Sequence, residues 1–264
     1  MVENENQKGE FLDAVRGYMQ DIENNDFLHD FRVFLKYVAE NKIKLTPKWR
    51  LIPRKDIYAI NSLFRHPHPT EQKIGNITFK VRQEFELRYL HFIDLLSLAS
   101  GCSKMTHRDF LRKGQNFTRF FDINGLTEIS QLFLAWYFGM SWQEWFMRGG
   151  DFAERLQSKV KEIAQHLDSV KNSEKIDFVE FANNLITRTD VKWICIAGDK
   201  ELSNARFGIR ELLITPMQYF GAVELFTEKD EKGVDKFVSF KFTYPLGKYL
   251  INLLTFKKYN PKNN

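Results

Sequence analysis

The chain has 264 residues, 43% apolar and 28% charged, a balance that excludes a disordered polypeptide and allows one large or two ordinary globular domains. Lys and Arg number 39 against 34 Asp and Glu, and the resulting charge of +5 is compatible with a polyanionic partner without requiring one. The longest apolar runs fall short of the roughly 18–20 residues that span a bilayer. Cys102 and Cys195 lie far apart with no disulfide-rich pattern around them, so both are expected reduced and buried, and the polar, acidic residues 1–9 do not read as a secretory signal. A cytoplasmic protein is expected.

In chain order, residues 10–24 can form an amphipathic helix, and a second over 27–39 places Phe27, Phe31, Phe34, Leu35 and Val38 on one face before Asn41. Ile43 and Leu45 alternate as a short strand, and Pro53 opens a helix over 53–64. Residues 65–83 read as an inserted loop with a short strand near Ile77–Phe79, because prolines and a glycine interrupt any helix. Phe85, Tyr89, Phe92, Leu96 and Ala99 step by three and four along one helical face that Gly101 ends, and a hairpin closed by Gly114 follows. From Leu126 to Met147 an aromatic-rich stretch reads as a connector helix packed on both halves, ended by Gly149 and Gly150.

The second half repeats the order. Phe152, Leu156, Val160, Ile163, Leu167 and Val170 make a helical stripe, Asp177 is an N-cap for a helix over 178–186, and residues 191–198 read as a buried strand or irregular core segment. A long helix beginning near Leu202 runs to Gly221, and hairpin arms over 222–226 and 236–242 flank a charged wing tip, with a bulge suggested by the imperfect alternation. The expected fold class is therefore mainly α with small β-hairpins (α+β), as tandem winged-helix modules joined by an aromatic-rich connector helix. The expected divisions are an N-terminal tail and helix (1–26), module 1 (27–121), the connector (122–150), module 2 (151–256) and a tail (257–264).

Three stretches carry a family resemblance: "IKLTPKWRLIPRKDI" (43–57), "LLITPMQYFGAVEL" (212–225) and "FTYPLGKYLI" (242–251). Together they resemble the XPB-type helicase-associated domain, a winged-helix-rich family, over about residues 30 to 255, although Trp49 stands where that family has glycine and Tyr244 intrudes between Thr243 and Pro245. The resemblance implies DNA association, or a place in a DNA-processing complex with a helicase or another protein as partner. The motor itself is not expected here, because no GxxxxGK[ST] phosphate loop occurs. A non-enzymatic chain with no cofactor is the expectation.

The strongest binding signal is the acid-free run Lys42, Lys44, Lys48, Trp49, Arg50, Arg54 and Lys55. Its cations would neutralise phosphates and an exposed indole would stack on a base; in the competing reading the cations are a solvated face and Trp49 plugs the core. Lys104, Arg108, Arg112, Lys113 and Arg119 form a second cluster in and beside the first wing, while the second wing tip mixes both signs. Asn204, Arg206 and Arg210 on the second long helix are candidates for base contacts. His66 and His68 lack a third ligand for a metal site, and Asp190 with Lys192 resembles the Asp-x-Lys of restriction-type nucleases without a second acid at clear spacing.

Overall fold

The computed structural model describes residues 22–75, 77–193, 199–231 and 233–255, which fall into two compact units, Ile22–Met140 and the chain from Ser141 onward. The expected helix over 10–24 lies outside the described residues except for Ile22–Asn24, a single 3-10 turn. Most of the segment 191–198 and Cys195 also lie outside them.

In the first unit α1 spans Asp26–Glu40. Asn25 caps its start by accepting the Leu28 N–H at 3.0 Å, and Asn41 ends it by donating both its backbone and side-chain N–H to the Tyr37 carbonyl. The five apolar residues read as one face are all buried. There follow β1 (Ile43–Lys44), α2 (Arg54–Leu63), β2 (Glu71–Ile74), β3 (Ile77–Lys80), α3 (Arg88–Ala99), β4 (Ser103–Met105) and β5 (Phe110–Lys113). β1, β5 and β4 form one antiparallel sheet in that order, so helix, strand, helix, helix, strand, strand closes as a winged helix. The insertion is richer than the expected loop, since β2 and β3 pair as a hairpin with Ile77 and Phe79 exposed. Phe85 stands outside α3, in a 3-10 turn over Glu84–Glu86 held by reciprocal capping between Gln83 and Glu86.

The aromatic stretch is not one connector helix. α4 (Phe117–Phe121) and α5 (Gly125–Leu134) lead into a wide π turn over Ala135–Gly139, all within the first unit. α5 packs on α1, where Arg32 meets the buried Glu128 carboxylate, and the π turn packs on α3. Met140 is extended, and Ser141 starts a new helix, α6 (Trp142–Trp145), by accepting the Glu144 N–H at 3.2 Å. The division between units therefore falls before Ser141 and not at the glycine pair.

The second unit continues with α7 (Phe152–Gln157) and α8 (Val160–Val170), two helices where one stripe was expected. β6 (Ile176–Asp177) precedes α9 (Phe178–Thr189), with Asp177 accepting the Glu180 N–H at 2.8 Å as its cap. α10 (Asp199–Ile209), a π segment over Arg210–Ile214 and α11 (Thr215–Tyr219) follow one another without a break. β7 (Val223–Lys229) and β8 (Asp235–Phe242) form the second wing, with a register shift at Phe226/Thr227, and α12 (Leu246–Thr255) follows. Sheet order β6-β8-β7 repeats that of the first unit, so both units share the winged-helix connectivity.

The repeat extends to close backbone contacts. Gly101 (φ 71°) and Gly221 (φ 73°) follow α3 and α11, the helix before the wing in each unit, in the left-handed region. A Cβ on Gly114 would lie 2.1 Å from the Gly101 carbonyl oxygen, and one on Gly247 would lie 2.0 Å from that of Ala222. Because both neighbours are backbone, neither clash can be relieved by a side chain. Gly114→Ala and Gly247→Ala are each expected to cost more than about 2 kcal/mol in urea denaturation, whereas Gly139→Ala, with nothing closer than 3.9 Å, changes stability by less than about 1 kcal/mol.

Candidate nucleic-acid interface

Pairing in the first sheet decides which side chains share a face. Ile43 sits opposite Leu111 and Lys44 opposite Phe110, while Lys104 sits opposite Arg112. Ile43, Leu111 and Ser103 point into the core, so Lys44, Phe110, Arg112 and Lys104 share the outer face. Lys42 joins them, because its Nζ lies 5.4 Å from the Phe110 ring centroid, and the Arg112 guanidinium lies at the same distance. The ring thus holds two cations in place on a face that carries four cations and no acid. Two clusters distant in sequence become one.

The turn after β1 is locked to the wing. Thr46 and Leu51 close it through the Thr46 N–H to the Leu51 carbonyl (2.9 Å) and the Leu51 N–H to Thr46 Oγ1 (3.0 Å), and Arg50 takes a left-handed φ of 53°. Asp109 at the wing tip is also left-handed, with φ 58°, and accepts Arg50 Nε at 3.0 Å. Neither residue is glycine, so each conformation costs about 1 kcal/mol and is held by its surroundings. Between them the turn displays Lys48 and Trp49. Trp49 is 61% exposed, which overturns the reading in which it plugs the core.

Beyond the turn, the Ile52 N–H donates to Glu84 Oε2 at 2.6 Å, and Arg54 at the start of α2 lies over Tyr58, 5.2 Å from its centroid. Lys55 and Arg108 are exposed, and Lys113 lies over Phe117. Among the described residues no carboxylate pairs with Lys42, Lys44, Lys48, Arg54, Lys55, Lys104, Arg108, Arg112 or Lys113; Arg50 alone of the cluster is neutralised, by Asp109.

The second unit differs at matching positions. Lys175 and Lys241 flank Phe226 at 5.8 and 5.4 Å, as Lys42 and Arg112 flank Phe110. But Asp177 stands where the first sheet has Lys44, and Glu224, paired with Lys241 at 2.8 Å, stands where it has Lys104. Two cations and two acids leave that face without net charge. Arg206 donates to Asn183 Oδ1 at 2.9 Å and Arg210 lies over Phe237 at 5.3 Å, so the two arginines among the three candidate base readers are engaged within their own unit.

α3, the helix that a winged helix would offer to a groove, has no exposed residue. Sequence reading also missed a buried polar group on it. Glu84 Oε1 lies 2.6 Å from His91 Nδ1, and Asp94 is buried one turn further along. The two α3 members are ionisable residues inside a mostly apolar helix at a spacing of three, which is the signal that was there to find. His66 contacts Asp26, no cluster of metal-binding side chains occurs among the described residues, and Asp190 is an exposed left-handed helix end 3.9 Å from Lys192. No helix among the described residues is long and apolar enough to cross a membrane. No protein-family model, curated protein or solved structure matches the chain.

Burial pushes the Glu84 carboxyl up to about 7, and burial together with the Glu84 charge raises Asp94 well above the usual carboxylate range. A raised folded-state value favours the protonated acid, so this contribution to stability is full below the unfolded value of 4.5 and is lost as pH rises through about 7. The first unit is expected to lose on the order of 3 kcal/mol between pH 5 and pH 8 from Glu84 alone. Urea denaturation across that range checks it, and Glu84→Gln should reduce the slope, leaving the part that Asp94 contributes.

Proposed function

We propose that this chain is a non-enzymatic DNA-binding or DNA-complex accessory protein in which the first winged helix makes the phosphate contacts. The observation that carries the reading is the outer face of the first sheet, where Lys42, Lys44, Lys104 and Arg112 surround Phe110 with no acid among them. Clustered cations of this kind bind a phosphate backbone by displacing its counterions, which demands no sequence preference. Lys48, Arg54, Lys55 and Arg108 extend the same charge around the locked turn and the wing. The resemblance to the XPB-type helicase-associated domain agrees with this reading.

The second unit supports a different role. Its matching sheet face has no net charge, because Asp177 and Glu224 offset Lys175 and Lys241. A neutral winged helix suits a protein partner, a helicase among them, better than a polyanion. In the competing reading both units dock protein, making the chain an adaptor.

Salt dependence separates the two. Lys44 and Lys104 are exposed and support no packing, so Lys44→Gln with Lys104→Gln leaves the fold intact. In fluorescence anisotropy with labelled duplex DNA, that pair is expected to weaken binding and to reduce the slope of log affinity against log salt by about 2, from roughly 0.9 per lost duplex contact. Lys175→Gln with Lys241→Gln should leave the slope unchanged. Absence of DNA binding by the unaltered chain at 50 mM salt, about where such contacts are strongest, would sink the DNA reading in favour of the adaptor.

A further inference from the structure

We infer that the DNA taken by the first unit is single-stranded, with one unstacked base lying against the indole of Trp49. This deepens the proposed DNA-binding role and rests on it. The indole is the most informative side chain on that surface, because the fold makes no use of it. It is 61% exposed, and its one partner among the described residues is Lys48, whose Nζ lies 5.0 Å from the ring centroid. Leaving so large an apolar ring in water forgoes the burial that Trp136 and Trp142 obtain completely.

The turn that carries the ring is also tied to the wing. Trp49 precedes Arg50 and Phe110 follows Asp109, so the Arg50–Asp109 ion pair fixes the turn carrying the indole to the strand carrying the cationic face. A stacking platform tied to a row of phosphate-binding cations is the combination that single-strand binders use, since stacking accepts any base and the cations follow the backbone. Duplex DNA offers that platform nothing, because its bases are already stacked on each other.

The third helix points the same way. Groove reading needs exposed polar side chains on it, yet every residue of α3 is buried or half-buried, and the Ala135–Gly139 turn packs against it. Charge alone would favour the duplex, whose phosphates are more densely spaced than those of a single strand. A preference for the single strand therefore has to come from base contact.

The test is a fluorescence anisotropy titration of the full chain with a 20-nucleotide oligo-dT and with a mixed-sequence 20-base-pair duplex at matched salt. Trp49→Ala, Trp49→Phe and the Lys44→Gln, Lys104→Gln pair are run alongside, with thermal midpoints confirming that each is folded. The expected result is tighter binding of the single strand, a loss of about tenfold or more for that strand in Trp49→Ala, and substantial recovery in Trp49→Phe. The lysine pair should weaken both ligands. Equal or tighter binding of the duplex, with Trp49→Ala unchanged on the single strand, overturns the inference while leaving phosphate binding intact, and assigns the indole to a protein contact. Failure of both ligands to bind removes the DNA reading itself and this inference with it.

Discussion

Ile43 sits opposite Leu111, and that antiparallel pairing decides what the first unit shows to solvent. A strand of two residues has little stability of its own, so its register is set by Ile43 and Leu111 both entering the core. A slip of one residue would bury Lys44 and expose Ile43, at a cost no side chain nearby offsets. With the register fixed, Lys42 and Lys44 are delivered beside Arg112 and Lys104, and Phe110 anchors two of the four. The Leu45 N–H then donates to the Asp109 carbonyl at 2.8 Å, which continues the pairing into the locked turn.

The same connectivity runs twice with different consequences. Each unit ends the helix before its wing in a left-handed glycine and brings a later glycine against a carbonyl at that helix end, so backbone packing is conserved between them. What changes is the outer face, where an acid replaces a lysine at two matching positions. Neither exchange disturbs the core, because those positions point outward. Two copies of a fold can thus diverge in partner without a change in architecture, and the electrostatic difference is confined to side chains that the register leaves in water.

Helices with a clean three-and-four spacing were legible in the sequence, α1 above all, because its apolar residues fall on one face and Asn41 follows them. The sheet faces were not, since no pattern within 42–55 or 104–113 says that Lys44 will sit opposite Phe110. Periodicity also misled where apolar residues crowd every position. Between Leu126 and Met147 the aromatic density hid the break at Met140, although Ser141 with Glu144 three residues on is a helix-start signature. The left-handed Arg50 was equally hidden, because the turn draws its stability from an aspartate on the wing and not from a glycine of its own. Exposure of Trp49 depends on that same distant contact, so the sequence alone left its role open between core and surface.

Covering α3 changes what a winged helix can do. In the first unit α5 and the π turn after it place Leu126, Ile129, Phe133, Trp136 and Tyr137 in the core, and α3 becomes an interior element that carries Glu84's partner His91 and the buried Asp94. Those ionisable groups are costly to bury, yet Glu84 spends one oxygen on the Ile52 N–H at the exit of the basic turn and the other on His91. Removing that carboxylate would leave the Ile52 N–H unpaired in the core, so the polar cluster supports the turn from beneath as Asp109 holds it from the side. The sheet face and the locked turn stay open to solvent, and most of the side chains that gather there are cations beside one open indole.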